Sequence, residues 1–452
     1  MKGNFKFLIF VFLGALCLML DAFCNGFPIV YSDTSTYIAS GLELETPFDR
    51  PITYGLFLRF FSLNGLSLWF VIFFQALILS YLIFMMVRLV TGEKLFLKSG
   101  LLAIIILSLF SGVSWTVSQL MPDIFTAVAL LCITLILLGT FTRKTLIFLY
   151  FLFFISVAMH ISHILLFGLI LTALFSLKKY VLLKKNYPNR NMQITVLFLL
   201  TIVSVLTMGS AISKSKNAFF MGAMIEHGIV QSYLSDNCGT RQYKLCAYKD
   251  SLPDRAYKFL WNEKSPFYKI GGWKETKNEF NEIIVGTLTQ PKYIKMHIKE
   301  SLKATLQQLS QFSIGEGNGS FMEGTLLHDR VKKYFPGDLN SYNSSKQNQS
   351  KLGLLNFLNS LFPIVIVLSL LLLLFLFIKY TKIINRYIKI ITGIFFICIL
   401  LNAWDCGTFA NAINRLGCKM IWLIPFTTTI VLLNIIYHNR KKENTEDIQH
   451  QE

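Results

Sequence analysis

Long apolar runs separated by short polar segments fill both ends of the chain. A helix needs about 20 apolar residues to cross a bilayer, and windows of this kind recur along the sequence. The pattern predicts an all-α polytopic membrane protein with about ten transmembrane helices. The predicted spans lie near residues 5–20, 66–87, 101–117, 124–140, 146–158, 161–177, 194–210, 358–377, 388–401 and 421–437.

These spans divide the chain into four parts. Residues 1–210 form an N-terminal transmembrane bundle whose first polar loop covers residues 25–65, and residues 211–356 form a long loop domain. C-terminal transmembrane helices at 357–437 and a tail at 438–452 follow. The loop domain carries tryptophans, tyrosines and mixed charge, so we predict a folded, mainly helical unit and not a linker.

Two shorter segments need their own interpretation. Residues 51–63 are too few to span a bilayer and have an arginine near each end, which predicts an amphipathic helix in the membrane interface. Residues 337–351 are polar and rich in Asn and Ser, which predicts a flexible return to the membrane. Residues 5–24 resemble a signal peptide, but no small-x-small cleavage site follows, so we expect a retained span.

Composition and charge placement support a membrane protein. The chain is 54% hydrophobic and 15% charged, values typical of polytopic proteins. A formal charge of +18 would suit a nucleic-acid binder, but much of the positive charge lies in short loops between apolar runs. They cluster at residues 88–98, 143–144, 178–190, 379–389 and 440–442. The positive-inside rule then predicts that both termini are cytoplasmic and the long loop is extracytoplasmic. We expect a bacterial-type inner membrane protein with no nucleic-acid partner.

Cysteine spacing suggests disulfides on the extracytoplasmic side. Cys238 and Cys246 are close in sequence within the loop domain, and Cys406 and Cys418 bracket the last outer loop. An oxidising compartment would favour two local disulfides or cross-loop alternatives, with Cys24 left over. No CxxC motif occurs, and no histidine has zinc-finger spacing to the cysteines.

The first polar loop holds charges beside predicted hydrocarbon, where charge is costly and is often retained for function. Asp33, in YSDTSTYI, is a candidate general base. The alternative is an N-cap for a short helix at 35–41. Arg50 and Arg59 are candidates for binding a lipid phosphate through paired hydrogen bonds. Snorkelling from an interfacial helix is their alternative.

Three further positions carry candidate chemistry. Asp123, in QLMPDIF, precedes a predicted span, where either catalysis or the helix dipole would explain an acid. His160 and His163 share a helical face and could bind phosphate, shuttle a proton or, with Asp33 or Asp123, hold a divalent metal. Interfacial histidines can also do none of these.

The last outer loop adds basic candidates. Arg415 and Lys419 directly precede the final span, where they could stabilise a leaving phosphate or simply anchor the helix at the interface. No Walker motif, dinucleotide-binding glycine turn or GxSxG elbow stands in a suitable context. Soluble nucleotide chemistry is therefore not expected.

Together these positions resemble the polytopic GT-C class of glycosyltransferases, which includes relatives of protein O-mannosyltransferases and of lipid A aminoarabinose transferases. By position, Asp33 matches the catalytic acid of the first outer loop, MPD at 121–123 the second acidic motif, and NRLGCKMIWLIP the region before a late span. Two departures are Thr34, where the class often has a second acid, and Leu416, where tyrosine is usual. The resemblance implies a GT-C-like fold and a sugar donor on a polyprenyl phosphate.

The resulting hypothesis is an inverting transferase that moves a sugar from a polyprenyl-phosphate-linked donor to an extracytoplasmic glycan, lipid or protein. Its partners would be that donor, the acceptor and membrane lipids, in cell-envelope glycan synthesis. A transporter or flippase of a lipid-linked glycan is one alternative, and a glycan polymerase or ligase is another. Most predicted spans lack charge in their middles, which favours an interfacial site over a transport path. A structural or assembly role for the long loop is the third alternative.

Overall fold

The computed structural model describes residues 2–176, 190–208 and 210–449, and all its regular elements in these ranges are helical. Nine helices form the N-terminal part: α1 Lys2–Leu18, α2 Leu20–Asn25, α3 Thr34–Leu42, α4 Thr53–Phe61, α5 Leu68–Phe110, α6 Val113–Ser118, α7 Ile124–Leu138, α8 Arg143–Ala158 and α9 Ser162–Ser176. The all-α prediction is confirmed.

The rest of the described chain continues in the same way. Its helices are α10 Arg190–Met208, α11 Ser210–Glu226, α12 Ile229–Asn237, α13 Ala256–Trp261, α14 Pro266–Lys269, α15 Gly272–Glu275, α16 Lys277–Thr289, α17 Pro291–Ser310, α18 Leu326–Tyr334, α19 Leu339–Ser344, α20 Leu354–Lys379, α21 Arg386–Phe409, α22 Asn414–Ile421 and α23 Leu423–Gln449. Short 3₁₀ turns lie at Lys244–Ser251 and Pro336–Asp338.

Helix length and composition support a membrane protein. Among the described residues, five helical segments are long and apolar enough to cross a bilayer: Leu68–Phe110, Arg190–Thr207, Phe357–Lys379, Arg386–Phe409 and Asn414–Asn439. Shorter apolar helices at Phe5–Leu18, Ile124–Leu138 and Ser162–Ser176 coincide with further predicted spans. The membrane class is therefore supported, while the count of ten spans and the orientation stay predictions.

Helix α5 contains a break that explains its length. At 43 residues it would extend about 65 Å if straight, roughly twice the hydrocarbon thickness. Gly92 has φ 67° and ψ −173°, a non-helical conformation inside the helix. Such angles favour glycine because it lacks Cβ. The predicted spans 66–87 and 101–117 lie on the two sides of this glycine.

Helix α7 is the centre of the main core. Every one of its residues, from Ile124 to Leu138, is buried. It packs with α5, α8 and α21, and apolar residues of α1, α20 and α23 complete the same cluster. A helix that is apolar all round belongs in such a position. The N-terminus of α7, where Asp123 lies, is fixed by this packing.

The long loop domain packs in two ways. Residues between Ala218 and Tyr293 form their own hydrophobic core, and Cys238 and Cys246 are joined by a disulfide with a Cα–Cα distance of 5.8 Å. The predicted folded helical unit and its disulfide are thus present. By contrast, α18 and α19 contribute apolar side chains to the main core. This second part lies against the N-terminal bundle.

The predicted flexible return at 337–351 is wrong. Gln347 and Asn348 are buried, and the Gln347 amide forms two hydrogen bonds with Val30, one donated to its carbonyl (2.7 Å) and one accepted from its N–H (3.1 Å). The Gln347 N–H also donates to Asn25 Oδ1 at 2.8 Å. The Gln347 amide thus satisfies both backbone groups of Val30 in a buried position.

Candidate functional site

A short parallel bridge brings two polar segments of the N-terminal bundle together. The Ile29 N–H donates to Ser118 O, and the Leu120 N–H donates to Ile29 O, both at 2.9 Å. The Thr34 hydroxyl adds a bond to Leu120 O at 3.3 Å. Because Asp33 follows one segment and Asp123 the other, the bridge places both carboxylates at the same point.

Gln75, a buried residue of α5, supports this bridge. Its Nε2 donates to Val117 O at 2.9 Å and to Gln119 O at 3.0 Å. Its Oε1 accepts a bond of 2.7 Å from the Tyr54 hydroxyl on α4. One amide side chain therefore links α5, the segment before Asp123 and the helix that follows Arg50. Buried polar groups with full hydrogen bonding specify one arrangement of a core.

Four of the candidate residues converge on one charged cluster. Arg50 Nη1 lies 3.2 Å from Asp33 Oδ1, and Arg415 Nη1 lies 3.4 Å from Asp33 Oδ2. Arg415 Nη1 also lies 3.7 Å from Asp123 Oδ2. The two arginines thus hold opposite oxygens of one carboxylate. We call Asp33, Asp123, Arg50 and Arg415 the charged cluster.

The charged cluster is mostly shielded from solvent but its hydrogen bonding is incomplete. The Asp33 side chain is 25% exposed, whereas that of Asp123 is 3% exposed. Arg50 Nη1, Arg415 Nε and Asp123 Oδ2 are buried and form no hydrogen bond of good geometry within the described chain. Buried polar atoms nearly always have a hydrogen-bond partner. A cluster with three buried polar atoms that lack one is therefore suited to a polar ligand.

Neither aspartate serves as a helix cap. Asp33 directly precedes α3, and Asp123 directly precedes α7, so both lie where an N-cap residue would. Neither side chain, however, accepts a capping hydrogen bond. Both residues have right-handed helical backbone angles, whereas a capping residue usually has extended ones. The N-cap explanation for Asp33 is therefore wrong.

The arginines determine the ionisation of Asp33. Burial raises the pKa of this carboxyl, but the positive charges and hydrogen bonds of Arg50 and Arg415 outweigh burial and hold the pKa below its usual value. Asp33 is therefore ionised at neutral pH. Its ionisation stabilises the fold above the unfolded pKa, and this contribution is lost as the pH falls through the lower folded pKa.

Two tyrosines and a third acid also surround the charged cluster. The sequence pattern did not single them out as candidate residues. The Arg415 guanidinium lies 4.4 Å from the ring centroid of Tyr31, and that of Arg50 lies 5.2 Å from Tyr37. Arg50 Nε donates to Asp49 Oδ2 at 2.9 Å. The sequence did contain a signal for the tyrosines, because in YSDTSTY Tyr31 lies two residues before Asp33 and Tyr37 lies four residues after it. Aromatic faces attract guanidinium groups and fix their planes.

Close packing of α3 on α4 holds Asp33 opposite Arg50. Each helix begins shortly after one of these residues, and the helices approach at Gly41 and Gly55. A Cβ on Gly41 would lie 2.2 Å from Gly55 O. A Cβ on Gly55 would lie 2.2 Å from Ser40 Oγ. Only glycine at both positions allows this approach.

Gly55→Ala is expected to lower the stability of the fold. The added methyl group overpacks the α3–α4 contact, which costs about 1–3 kcal/mol of unfolding free energy, and it separates Arg50 from Asp33. Thermal unfolding of the purified protein would measure this loss. Gly168→Ala in α9 is the control, because a Cβ there meets nothing within 4 Å. Equal behaviour of the two variants would contradict the proposed packing role.

Arg59 lies apart from the charged cluster. Its Nη1 donates to Gly41 O at 3.2 Å and to Leu42 O at 3.5 Å. These carbonyls belong to the last turn of α3, where a positive charge satisfies unpaired acceptors and the helix dipole. The structure gives Arg59 a capping role in place of the predicted phosphate contact. The predicted amphipathic helix itself is present as α4, with Tyr54 buried and Phe60 exposed.

The histidine pair does not form a metal site. His163 Nδ1 is 2.7 Å from Ser156 O and must donate to it, which leaves Nε2 to accept the Thr126 hydroxyl at 2.8 Å. Both nitrogens are therefore occupied. His160 Nδ1 lies 2.8 Å from Ser162 Oγ. Within the described ranges no three His, Cys, Asp or Glu residues are grouped so as to hold a metal ion.

Lys419 lies one helical turn after Arg415 on α22. It is 1% exposed, so it is buried and does not project into solvent. The predicted contact of Lys419 with a leaving phosphate stays a prediction.

The second predicted disulfide is wrong. Cys406 and Cys418 are free, buried thiols. Cys406 Sγ lies 3.8 Å from Asn402 Oδ1, and Cys418 Sγ lies 3.7 Å from Thr116 Oγ1. Helix α21 continues to Phe409, so Cys406 packs inside that helix and does not bracket a loop. Cys24 is also free.

The charged cluster combines an ionised carboxylate, a second buried carboxylate and two guanidinium groups at one place. No family model, curated protein or solved structure matches this chain.

Proposed function

We propose that this protein is an integral membrane glycosyltransferase that moves a sugar from a polyprenyl-phosphate-linked donor to an extracytoplasmic acceptor hydroxyl. The observation that carries the proposal is the position of Asp33, whose two carboxylate oxygens face Arg50 and Arg415. Such a transfer needs a base for the acceptor and cations for the leaving phosphate. The charged cluster supplies both within one ion-pair distance.

The arginines are suited to the leaving group. A guanidinium group presents several N–H donors in one plane and can bind two phosphate oxygens at once. Arg50 Nη1 and Arg415 Nε retain unused hydrogen-bonding capacity. These groups stabilise the negative charge that develops on the phosphate as the glycosidic bond breaks.

The chemistry assigned to the site is a single displacement. Asp33 accepts the proton of the acceptor hydroxyl, and the acceptor oxygen attacks the anomeric carbon of the donor. The bond from that carbon to the phosphate oxygen breaks, and its electron pair stays on the phosphate. The products are a glycosylated acceptor of inverted configuration and polyprenyl phosphate. Asp123, held by Arg415, keeps that guanidinium directed at the reacting centre.

Donor binding also prepares the base. In the free protein Arg50 and Arg415 lower the pKa of Asp33, which makes it a weak base. A phosphate that engages both arginines weakens their attraction for Asp33 and adds negative charge nearby. Both effects raise the pKa of this carboxyl, so Asp33 becomes a competent base only after the donor has bound.

This coupling predicts different acid limbs for two kinetic parameters. The profile of kcat/KM follows ionisation of the free enzyme, and that of kcat follows the substrate complex. The carboxylate is the active form, so activity falls as the pH drops through each pKa. The acid limb of kcat is expected at higher pH than that of kcat/KM, measured with the donor varied. Coincident limbs would contradict the coupling, and Arg50→Gln should move the kcat/KM limb upward.

The membrane setting suits such a donor. Five helices of the described chain are long and apolar enough to cross a bilayer, and a polyprenyl chain is soluble only in a bilayer. We place the charged cluster on the extracytoplasmic side of an inner membrane because the basic segments lie at the opposite ends of the predicted spans. A GT-C-like arrangement with about ten spans is part of this proposal.

A vesicle assay separates transfer from transport. The purified protein is reconstituted into liposomes with polyprenyl-phosphate sugars radiolabelled in the sugar, and acceptors are supplied as an extract of cell-envelope glycans. Transfer predicts a new labelled glycoside and free polyprenyl phosphate. Movement of the labelled lipid between leaflets without a new glycosidic product would instead indicate a flippase. Asp33→Asn liposomes serve as the matched control.

A further inference from the structure

A glycine-rich loop lies against the segment that carries Asp33. It covers residues 315–319, Gly-Glu-Gly-Asn-Gly, between α17 and α18. Gly317 has φ +73°, and a Cβ there would lie 2.2–2.6 Å from three atoms of the Tyr31 side chain, two in the ring and the hydroxyl oxygen. This ring in turn contacts the Arg415 guanidinium. The loop therefore covers one side of the charged cluster.

Two further contacts fix the loop at this place. Gly319 O accepts a hydrogen bond of 3.2 Å from Gln347 Nε2, and the same amide nitrogen donates to Val30 O. The Glu316 carboxylate accepts the N–H of Asn414, the residue before Arg415. Asn318 thus lies between Gly317, which is next to the Tyr31 ring, and Gly319, whose carbonyl shares the Gln347 amide with Val30.

The side chain of Asn318 is unusual among the described residues. Its Oδ1 and Nδ2 are both buried, and neither has a hydrogen-bond partner. Within the ranges that the structure describes, no other side chain has two such atoms. A buried amide without partners destabilises the protein unless something else satisfies it. The loop turn does not need this amide, because it is closed by the Asn318 backbone N–H donating to Gly315 O.

We infer that Asn318 binds a sugar ring at the charged cluster. Its adjacent donor and acceptor match two neighbouring hydroxyl groups of a pyranose, one accepting from Nδ2 and one donating to Oδ1. This inference rests on the proposed function, and it adds a residue that selects the sugar. The sugar belongs either to the lipid-linked donor or to the acceptor glycan, since both carry the same hydroxyl chemistry.

Asn318→Leu provides the test, because leucine has a similar shape and no polar atoms. Removing two unsatisfied polar atoms should leave the thermal unfolding midpoint unchanged or higher. The transferase KM should rise roughly tenfold, as for loss of hydrogen bonds to a substrate, with a much smaller change in kcat. A rise in the donor KM alone assigns the donor sugar, and a rise in the acceptor KM alone assigns the acceptor. Asn340→Leu, at an exposed position, is the control.

A binding measurement keeps this inference separate from the transferase proposal. Saturation-transfer NMR of the full-length protein in detergent, with free glucose, mannose, galactose and N-acetylglucosamine as probes, needs no catalysis. We expect at least one sugar to bind, and its signal to fall in Asn318→Leu but not in Asn340→Leu. Absence of binding by the wild-type protein, equal signals in both variants, or a lowered unfolding midpoint of Asn318→Leu would overturn the role of Asn318.

Discussion

Asp33→Asn is expected to reduce the rate of sugar transfer by about 10²–10⁴-fold, the usual contribution of a general base. The amide has nearly the same shape, so the fold should persist, but it cannot accept the acceptor proton. Loss of the carboxylate also frees Arg50 and Arg415, so binding of polyprenyl phosphate should be unchanged or tighter. Transfer rates and a titration with polyprenyl phosphate would measure these opposite changes.

Asp21→Asn is the matched control for this experiment. Asp21 is also a buried aspartate, on α2, but it forms none of the ion pairs of the charged cluster. This variant should retain near-normal transfer. If Asp33→Asn kept more than about a tenth of the wild-type rate, the assignment of Asp33 as the base would be wrong.

Arg415→Ala is expected to have the second largest effect, on both catalysis and stability. Arg415 faces Asp33 and Asp123, and its removal leaves the nearly inaccessible Asp123 without an opposite charge. Breaking a buried ion pair from one side costs about 3–5 kcal/mol. The variant should unfold at lower temperature, bind polyprenyl phosphate more weakly and transfer sugar at a small fraction of the wild-type rate.

Arg415→Lys tests whether shape or charge matters. Lysine restores the charge but not the planar set of donors, so stability should recover more than transfer does. Arg59→Ala is the control. Within the described chain, the side-chain hydrogen bonds of Arg59 go to backbone carbonyls in the last turn of α3. Full recovery of transfer by lysine would contradict a guanidinium-specific role.

Local patterns predicted the helices and half of the cysteine chemistry. Apolar runs of sufficient length located α5, α20 and α21, because helix formation in a bilayer depends on composition over a window. The close spacing of Cys238 and Cys246 predicted their disulfide. The same argument failed for Cys406 and Cys418, because helix α21 extends past Cys406 and gives the thiols different neighbours.

The assembly of the charged cluster depends on residues without a local signal. Gln75 and Gln347 hold the two acidic segments through bonds to backbone atoms far away in sequence. Nothing in the hydrophobic periodicity marks a glutamine as the partner of a carbonyl 42 or 317 residues away. The sequence likewise gave no reason to select Asn318. Its distinguishing feature is that the buried Oδ1 and Nδ2 atoms have no hydrogen-bond partner, and this is known only from the folded structure.

The ion pair between Arg415 and Asp33 joins residues 382 positions apart. Synthesis proceeds from the N-terminus, and early parts of a chain fold before later parts exist. Asp33 and Asp123 are therefore made, inserted and packed while the guanidinium that faces both is still untranslated. The charged cluster is completed only with the last apolar segment, so a chain that stops before Asn414 has both carboxylates but lacks one of the two guanidinium groups that face them.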